Sequence, residues 1–327
     1  MQQRQLGRDG PMVSAIGLGC LSFGGIFGAT TQDVSLRCLD AAWDHGITFF
    51  DTANIYGNGV SEDVLGEWLR TRRRPAVIAT KAGIVGGANR RIDNSEPYLC
   101  TELEGSLRRL GLDHVALFYI HRHEEARPIE EVATTLAALV AEGKIGGYGM
   151  SEIAPYTLRR AHAVHPCRAV QNEYSLWTRQ PELGLIQTCA ELGTAFVPFS
   201  PLARGALGHS MLDPMTLPET EFRRHIPRFS AENWPRNRRI IEKFRTYAAD
   251  RGASPAALAI AWVLDQGPHL IPIPGTRTAA HLGDWADASC LRLTDADRAM
   301  FAEVMPVGWA CGDRYNHEQA GTVERYC

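Results

Sequence analysis

The sequence predicts a parallel α/β protein in which eight strands and their helices close into a (β/α)8 barrel. Short apolar or β-branched runs recur eight times, and longer segments with helical spacing of apolar residues lie between them. A length of 327 residues also fits one such barrel with insertions. We therefore expect residues 1–327 to form a single barrel domain.

A doubly wound open sheet is the other arrangement that alternating strands and helices can form. It would carry a dinucleotide-binding glycine fingerprint in its first strand-to-helix turn. The run GLGCLSFGG, residues 17–25, lacks the third glycine at the required spacing. The barrel is therefore the favoured prediction.

The strand candidates are short apolar runs, and several of them end in a polar side chain. In chain order they are 15–20, 47–51, 76–81, 115–121, 146–151, 168–174, 194–200 and 269–275.

Helical spacing of apolar residues predicts helices over 33–46, 101–111, 130–143 and 254–267. Thr101 is a candidate N-cap, and Gly46 and Gly111 are candidate stops.

Two segments break this alternation. Residues 205–237 contain prolines, arginines and aromatic side chains without a sustained period, which predicts an ordered lid after strand seven. Residues 307–327 are also aperiodic and aromatic, so we expect this tail to pack over the rim of the barrel.

Composition excludes several classes of partner. A net charge of −3 offers no overall field for nucleic acid or an anionic membrane, and no apolar run is long enough to span a bilayer. The eight cysteines include no C-x-x-C pair, and no signal peptide is recognisable. We expect reduced thiols and a cytoplasmic location, whereas the sequence does not determine the oligomeric state.

Polar side chains close three consecutive strand candidates: Asp51, Lys81 and His121. Tyr56 follows just beyond the first of these ends. Each residue alone could be a turn, surface or core residue. Because functional groups of a barrel meet at the carboxyl ends of its strands, their coincidence at three ends favours an active site.

These four side chains suit proton transfer to a carbonyl group. A tyrosine pKa of ~10 is too high for efficient acid catalysis near neutrality, and a nearby ammonium lowers it. A carboxylate can hold Lys81 charged, and the imidazole of His121 can bind a carbonyl oxygen. Reduction of that carbonyl also needs a hydride, which predicts a nicotinamide cofactor.

Six motifs together resemble the aldo-keto reductase family over nearly the whole chain. They are GITFFDTANIYGNGVSEDVLGEWL (46–69), ATKAG (79–83), LFYIHR (117–122), GGYGMSE (146–152), VQNEYSLWTR (170–179) and FSPLARGAL (199–207). The resemblance implies a TIM barrel that uses NADPH and reduces aldehydes or ketones to alcohols reversibly.

The resemblance also implies roles for the four polar residues. Tyr56 would be the proton donor, and Lys81 would lower its pKa. Asp51 would pair with Lys81, and His121 would orient the substrate carbonyl.

A further set of residues is implied to bind the cofactor. For the nicotinamide end it comprises Gly19, Cys20, Leu21, Ser151, Gln171 and Phe199; for the pyrophosphate, Ser200, Pro201, Leu202, Arg204 and Gly205; for the 2′-phosphate and adenine, Gly275, Thr276, Arg277 and Asp284. Trp285 and His281 differ from residues that family members use at the adenosine, which leaves NADH open as an alternative cofactor.

Aromatic residues in the loops predict the substrate walls. Phe23, Trp234 and Trp309 are the main candidates, with Phe27 and Trp177 beside them. Such walls would suit bulky ketones or aromatic aldehydes, and the small-molecule carbonyl substrate itself is not specified.

Two other functions stay open at this point. Some relatives of aldo-keto reductases bind NADPH as sensors or regulatory subunits. His121 and His123 could alternatively serve a metal-dependent barrel hydrolase. The later strand ends, Ser151, Glu173 and Ser200, would complete such a metal shell poorly, so we predict no metal.

Overall fold

The computed structural model describes residues 1–87 and 91–326. In chain order its strands are β1 (Gln3–Gln5), β2 (Met12–Ser14), β3 (Leu18–Gly19), β4 (Phe49–Asp51), β5 (Val77–Ala82), β6 (Ile84–Val85), β7 (Arg91–Ile92), β8 (Leu117–Ile120), β9 (Tyr148–Ser151), β10 (Ala169–Gln171) and β11 (Ala195–Phe196). Its helices are α1 (Gln32–Asp44), α2 (Val60–Arg72), α3 (Glu96–Leu110), α4 (Ile129–Ala141), α5 (Pro155–Val164), α6 (Leu185–Leu192), α7 (Trp234–Asp250), α8 (Pro255–Asp265), α9 (Asp295–Val304) and α10 (His317–Ala320).

Seven of the strands form one parallel sheet in the order β11-β10-β9-β8-β5-β4-β3. Parallel bridges from Phe196 to Leu270 and from Gly19 to Gly275 join its two edges through the eighth segment. This segment forms only isolated bridges because Pro272 has no N–H to donate to a ladder. The predicted (β/α)8 barrel is therefore confirmed, with an eighth side held by isolated bridges.

Side chains on alternate strand positions enter two different cores. Inside the barrel, Phe49, Ala79 and Leu117 pack with Leu6 and Val13 of the β1–β2 hairpin, at the amino ends of the strands. The neighbouring positions pack outward against the helices. Both faces of each strand are thus buried, which explains why the strands are nearly continuous apolar runs in the sequence.

The third helix begins earlier than its apolar period indicates. Ser95 is the N-cap of α3, and Thr101 lies inside the helix, where its hydroxyl donates to the carbonyl of Pro97 at 2.8 Å. The prediction of Thr101 as N-cap was therefore wrong. Gly111 ends the helix in the left-handed conformation, with φ of 67°, as predicted.

The long lid after β11 contains short 3-10 turns at Pro214–Thr216, Phe222–His225 and Pro227–Phe229. It ends where α7 begins at Trp234, inside the segment predicted as loop. No helix in the described residues is long and apolar enough to cross a membrane.

Candidate active site

A cavity of about 770 Å³ opens at the carboxyl ends of the barrel strands. Gly19, Asp51, Ser151 and Gln171 are the last residues of β3, β4, β9 and β10, and all four line it. His121 follows the end of β8 and lines it as well. The barrel thus brings together strand ends that are far apart in the sequence.

Lys81 lies in β5 just behind the cavity wall and is fully buried. Its Nζ donates to an Asp51 carboxylate oxygen, to the Thr52 carbonyl at 2.8 Å and to the Tyr56 hydroxyl at 3.3 Å. An ammonium has three N–H donors, so this set of acceptors uses all of them. The charge of Lys81 is therefore held in one orientation.

Tyr56 lines the cavity, and its ring lies edge-on to that of His121 with centroids 5.7 Å apart. Because the Tyr56 oxygen accepts a hydrogen bond from Lys81, its own hydrogen must point elsewhere. The hydroxyl can thus donate into the cavity beside the imidazole.

The ionisation of the three coupled groups is governed first by burial. Burial raises the pKa of Tyr56 and outweighs the lowering caused by the charge of Lys81. The expected influence of Lys81 is present, but the net pKa of Tyr56 is raised. Burial also raises the pKa of Asp51. Burial lowers the pKa of Lys81, but the charge of Asp51 and the contacts with Asp51 and Tyr56 more than offset this, so the pKa of Lys81 is raised.

Gln171, the last residue of β10, connects Lys81, Asp51 and Tyr56 to another part of the cavity wall. Its amide nitrogen donates to the second Asp51 oxygen at 2.8 Å. The Ser151 hydroxyl lies 3.4 Å from Nη1 of Arg122. The amide nitrogen of Gln171 thus helps to hold Asp51, and the residue itself lines the cavity.

The backbone of residues 200–205 is strained along the cavity wall. Ser200, Ala203 and Arg204 have φ angles of 51°, 52° and 56°, and Gly205 has 97°. Such left-handed conformations are costly for non-glycine residues and cluster at ligand sites. Backbone N–H groups in such runs can form concavities that bind anions. The predicted pyrophosphate residues that line this wall are Ser200, Pro201, Leu202, Arg204 and Gly205.

Arg204 reaches the cavity but already has an acidic partner. Its Nη2 lies 2.7 Å from an oxygen of buried Glu173, and its guanidinium lies over the rings of Phe222 and Tyr315 at 4.9 and 4.8 Å. Burial would raise the pKa of Glu173, but Arg204, Arg314 and other guanidinium charges lower it to about 2. A phosphate bound here would share Arg204 with Glu173.

The far end of the cavity is lined by Gly275, Thr276, exposed Arg277 and Asp284. Asp284 lies 3.1 Å from Nδ1 of His209. Hydroxyl, amide, strained backbone and arginine groups thus line one cavity, a donor set that fits an elongated anionic dinucleotide.

Three further residues were predicted to bind the cofactor. Leu21 and Phe199 line the cavity, whereas Cys20 is buried beside it.

The three main substrate-wall candidates do not line the cavity. Phe23, Trp234 and Trp309 are 2%, 6% and 9% exposed and belong to the core. Trp234 packs on the ring of Phe229, and the Trp309 indole donates to the carbonyl of Leu176 at 2.7 Å. Phe23 lies in the 3-10 turn Cys20–Gly24, which packs on α2, whereas Trp234 contacts the lid and Trp309 of the tail contacts the loop after β10. No local pattern indicates these contacts.

Other residues form the wall that the aromatic candidates were expected to form. Phe27, a secondary candidate, lines the cavity, and so do Ile26, Ile55, Ile84, Phe222, Arg122, Tyr315, Gln319 and Thr322. Sequence reasoning missed Arg122 although it directly follows His121 in LFYIHR. One sequence feature indicated a role for the tail residues Tyr315, Gln319 and Thr322: the tail is rich in aromatic residues and has no helical periodicity.

The arrangement around His123 does not resemble a metal centre. His123 Nδ1 lies 3.6 Å from a carboxylate oxygen of Glu324 in the tail. Within residues 1–87 and 91–326, no three histidine, cysteine or acidic side chains are grouped so that they could hold a metal ion.

Comparison with known proteins identifies the family of the chain. The model of the aldo/keto reductase family matches residues 15–305. The chain is 39% identical to a probable aldo-keto reductase of Glycine max over 96% of this chain and 92% of that protein. It is 35% identical to the aldo-keto reductase yakc of Schizosaccharomyces pombe, whose name specifies NADP(+), over 95% and 94% of the two chains.

A solved structure also matches. The glycerol dehydrogenase of Gluconobacter oxydans superimposes with a TM-score of 0.84 at 30% identity, covering 93% of this chain and 96% of that one. This protein therefore belongs to the aldo/keto reductase family.

Proposed function

We propose that this protein reduces an aldehyde or ketone to an alcohol reversibly, with NADPH as cofactor and Tyr56 as proton donor. The observation that carries the proposal is Lys81, whose three hydrogens reach Asp51, Thr52 and the cavity-facing Tyr56. A fully buried ammonium beside a phenol and an imidazole can stabilise the phenolate that remains when the phenol donates its proton.

The proton transfer follows from this geometry. A carbonyl oxygen placed between Tyr56 and His121 would accept hydrogen bonds that strengthen as negative charge develops on it. Tyr56 would then donate its proton, and the fixed charge of Lys81 would stabilise the phenolate that remains. When bound, the nicotinamide would supply the hydride for the carbonyl carbon.

Residues along the cavity would hold the cofactor. Ser151 and Gln171 would bind the carboxamide, and the π face of Phe199 would cover the nicotinamide ring. The strained backbone of 200–205 would bind the pyrophosphate. Exposed Arg277 supports NADPH over NADH, because a guanidinium pairs strongly with a phosphate.

The decisive variant is Tyr56→Phe, which keeps the ring and removes the proton donor. We expect kcat for aldehyde reduction to fall by roughly 10²- to 10⁴-fold. The NADPH dissociation constant, measured by fluorescence titration, should be unchanged. Tyr156→Phe, on a 68% exposed tyrosine of α5, is the matched control and should retain full activity.

Two results would contradict the proposal. Wild-type rates in Tyr56→Phe would exclude this proton donor. Tight NADPH binding without turnover, over a broad panel of carbonyl compounds, would favour a sensor or regulatory subunit instead.

A further inference from the structure

Arg122 is a charged residue in the wall of the cavity. The proposed proton transfer does not use it. It directly follows His121 at the end of β8, is partly buried and lines the cavity. Its charge therefore lies next to His121, one of the two residues proposed to bind the carbonyl oxygen.

The hydrogen bonds of Arg122 all go to neutral oxygens. Nη1 donates to the His121 carbonyl at 2.6 Å and reaches the Ser151 hydroxyl at 3.4 Å. Nη2 lies 3.4 Å from the hydroxyl of Tyr315. The Nε–H is buried and has no acceptor among the described residues. The guanidinium is thus held in place, but nothing in its contacts neutralises its charge.

The other arginines of the cavity differ from Arg122 in this respect. Arg204 pairs with Glu173 at 2.7 Å, and Arg223 pairs with Glu221 at 2.6 Å. Arg277 is exposed to solvent. Across the part of the chain that the structure describes, Arg122 is in no ion pair, although a partly buried charge is costly without a partner.

The unpaired charge of Arg122 should affect which ligands the cavity prefers. A neutral molecule that fills the cavity would displace water from Arg122 and replace it with nothing of opposite charge. A carboxylate would restore charge balance through charge-assisted hydrogen bonds. The same cavity is also lined by Ile26, Ile55 and Ile84, which can cover an apolar body.

We propose that the substrate is a carbonyl compound that also carries a carboxylate, and that Arg122 binds this carboxylate while Tyr56 and His121 face the carbonyl. The inference rests on the proposed function, since it concerns the same cavity. It narrows the substrate class to oxo acids with an apolar spacer between the two groups.

The substrate test compares 4-formylbenzoate with its neutral methyl ester in the presence of NADPH. In the wild-type protein we expect kcat/KM to favour the carboxylate by roughly 10- to 100-fold, as one charged hydrogen-bonded pair provides. Arg122→Met should remove this preference mainly through KM, and Arg122→Lys should restore part of it. Arg127→Met is the matched control, because Arg127 belongs to the same loop but pairs with Glu124.

A binding measurement separates this inference from the proposed function. Calorimetric titration of the NADPH-loaded protein with 4-methylbenzoate and with neutral 4-methylbenzamide needs no turnover. We expect tighter binding of the carboxylate in the wild type and equal, weak binding of both in Arg122→Met, with the affinity for NADPH unchanged.

The outcomes are distinct. Equal affinity for carboxylate and amide in the wild type, or a carboxylate preference that survives Arg122→Met, would overturn the inference. Loss of NADPH affinity in Arg122→Met, equal to the loss for the carboxylate, would do the same. Arg122-dependent carboxylate binding without reduction of either aldehyde would support the inference about Arg122 and contradict the proposed reaction.

Discussion

At the scale of single residues, the pair of Lys81 and Asp51 combines a structural role with the proposed chemical role. Both side chains are almost completely inaccessible to solvent, at 0% and 2%. Asp51 uses one oxygen for Lys81 and the other for Gln171. The attraction between the two charges must offset the cost of removing both from water, and either charge left alone would be strongly destabilising.

Lys81→Met should therefore destabilise the fold as well as abolish activity. We expect the free energy of unfolding to fall by about 3–5 kcal/mol, because Asp51 is left buried without its partner. The double variant Lys81→Met/Asp51→Asn should be more stable than Lys81→Met alone, yet equally inactive. Urea unfolding of the wild type, Lys81→Met, Asp51→Asn and the double variant measures this, and simply additive losses would show that the pair is not coupled.

At the scale of the elements, close contact between α2 and α3 positions the loop that carries Tyr56. The two helices are joined by an ion pair between Glu62 and Arg109, at 2.6 Å. At Gly66 they approach so closely that a Cβ would lie 2.1 Å from the carbonyl oxygen of Arg109. Here glycine is required by contact between backbones, although it lowers helix propensity.

Gly66→Ala should lower the free energy of unfolding by about 1–3 kcal/mol, since the added methyl group forces the two helices apart. Gly105→Ala in α3 is the matched control, because its Cβ would meet only the flexible ends of Arg109 and Arg108, at 3.2 and 3.8 Å. That change should leave stability unchanged or raise it by up to ~1 kcal/mol. Chemical denaturation of both variants checks this, and equal effects would contradict the contact argument.

At the scale of the whole molecule, a buried charge network joins the rim, the strained 200–205 segment and the tail. Glu173 follows β10 and pairs with Arg204 and with Arg314 of the tail, at 2.7 and 3.4 Å. Arg314 also pairs with buried Glu152. The tail residue next to Arg314 is Tyr315, which lines the cavity. Anchoring of the tail is thus continuous with the wall of the candidate site.

This network predicts acid sensitivity of a definite sign. The pKa of Glu173 falls from 4.5 to about 2 on folding. The resulting stabilisation, on the order of 3 kcal/mol, is complete above about pH 4.5 and is lost as pH falls towards 2. Glu173→Gln should be less stable at pH 7, and its stability should depend less on pH in this window.

Urea unfolding between pH 2.5 and 7, at values chosen in steps of about half a unit around that window, measures both curves. Glu318→Gln, on an exposed residue of α10, is the control and should follow the wild type. Parallel curves for Glu173→Gln and the wild type would show that Glu173 does not link stability to pH.

The sequence alone determined the barrel and the positions of Asp51, Lys81 and His121 at its rim. Apolar periodicity is local, and the parallel barrel brings every strand end to the same side. The loop that carries Tyr56 could be foreseen for the same reason. The lengths of the strands could be predicted less well from the sequence, because Pro272 interrupts the eighth strand. Only the pairing of its neighbours shows how the barrel closes.

Only the tertiary structure decided what surrounds these groups. Burial of Trp234 and Trp309 depends on how the lid and tail pack. Phe23 is buried where the turn after β3 packs on α2, a contact that also joins residues far apart in the chain. The raised pKa of Tyr56 likewise follows from burial, which no pattern of neighbours reveals. The unpaired charge of Arg122 could likewise not be predicted from the sequence, because a missing partner can be recognised only when every neighbour in space is known.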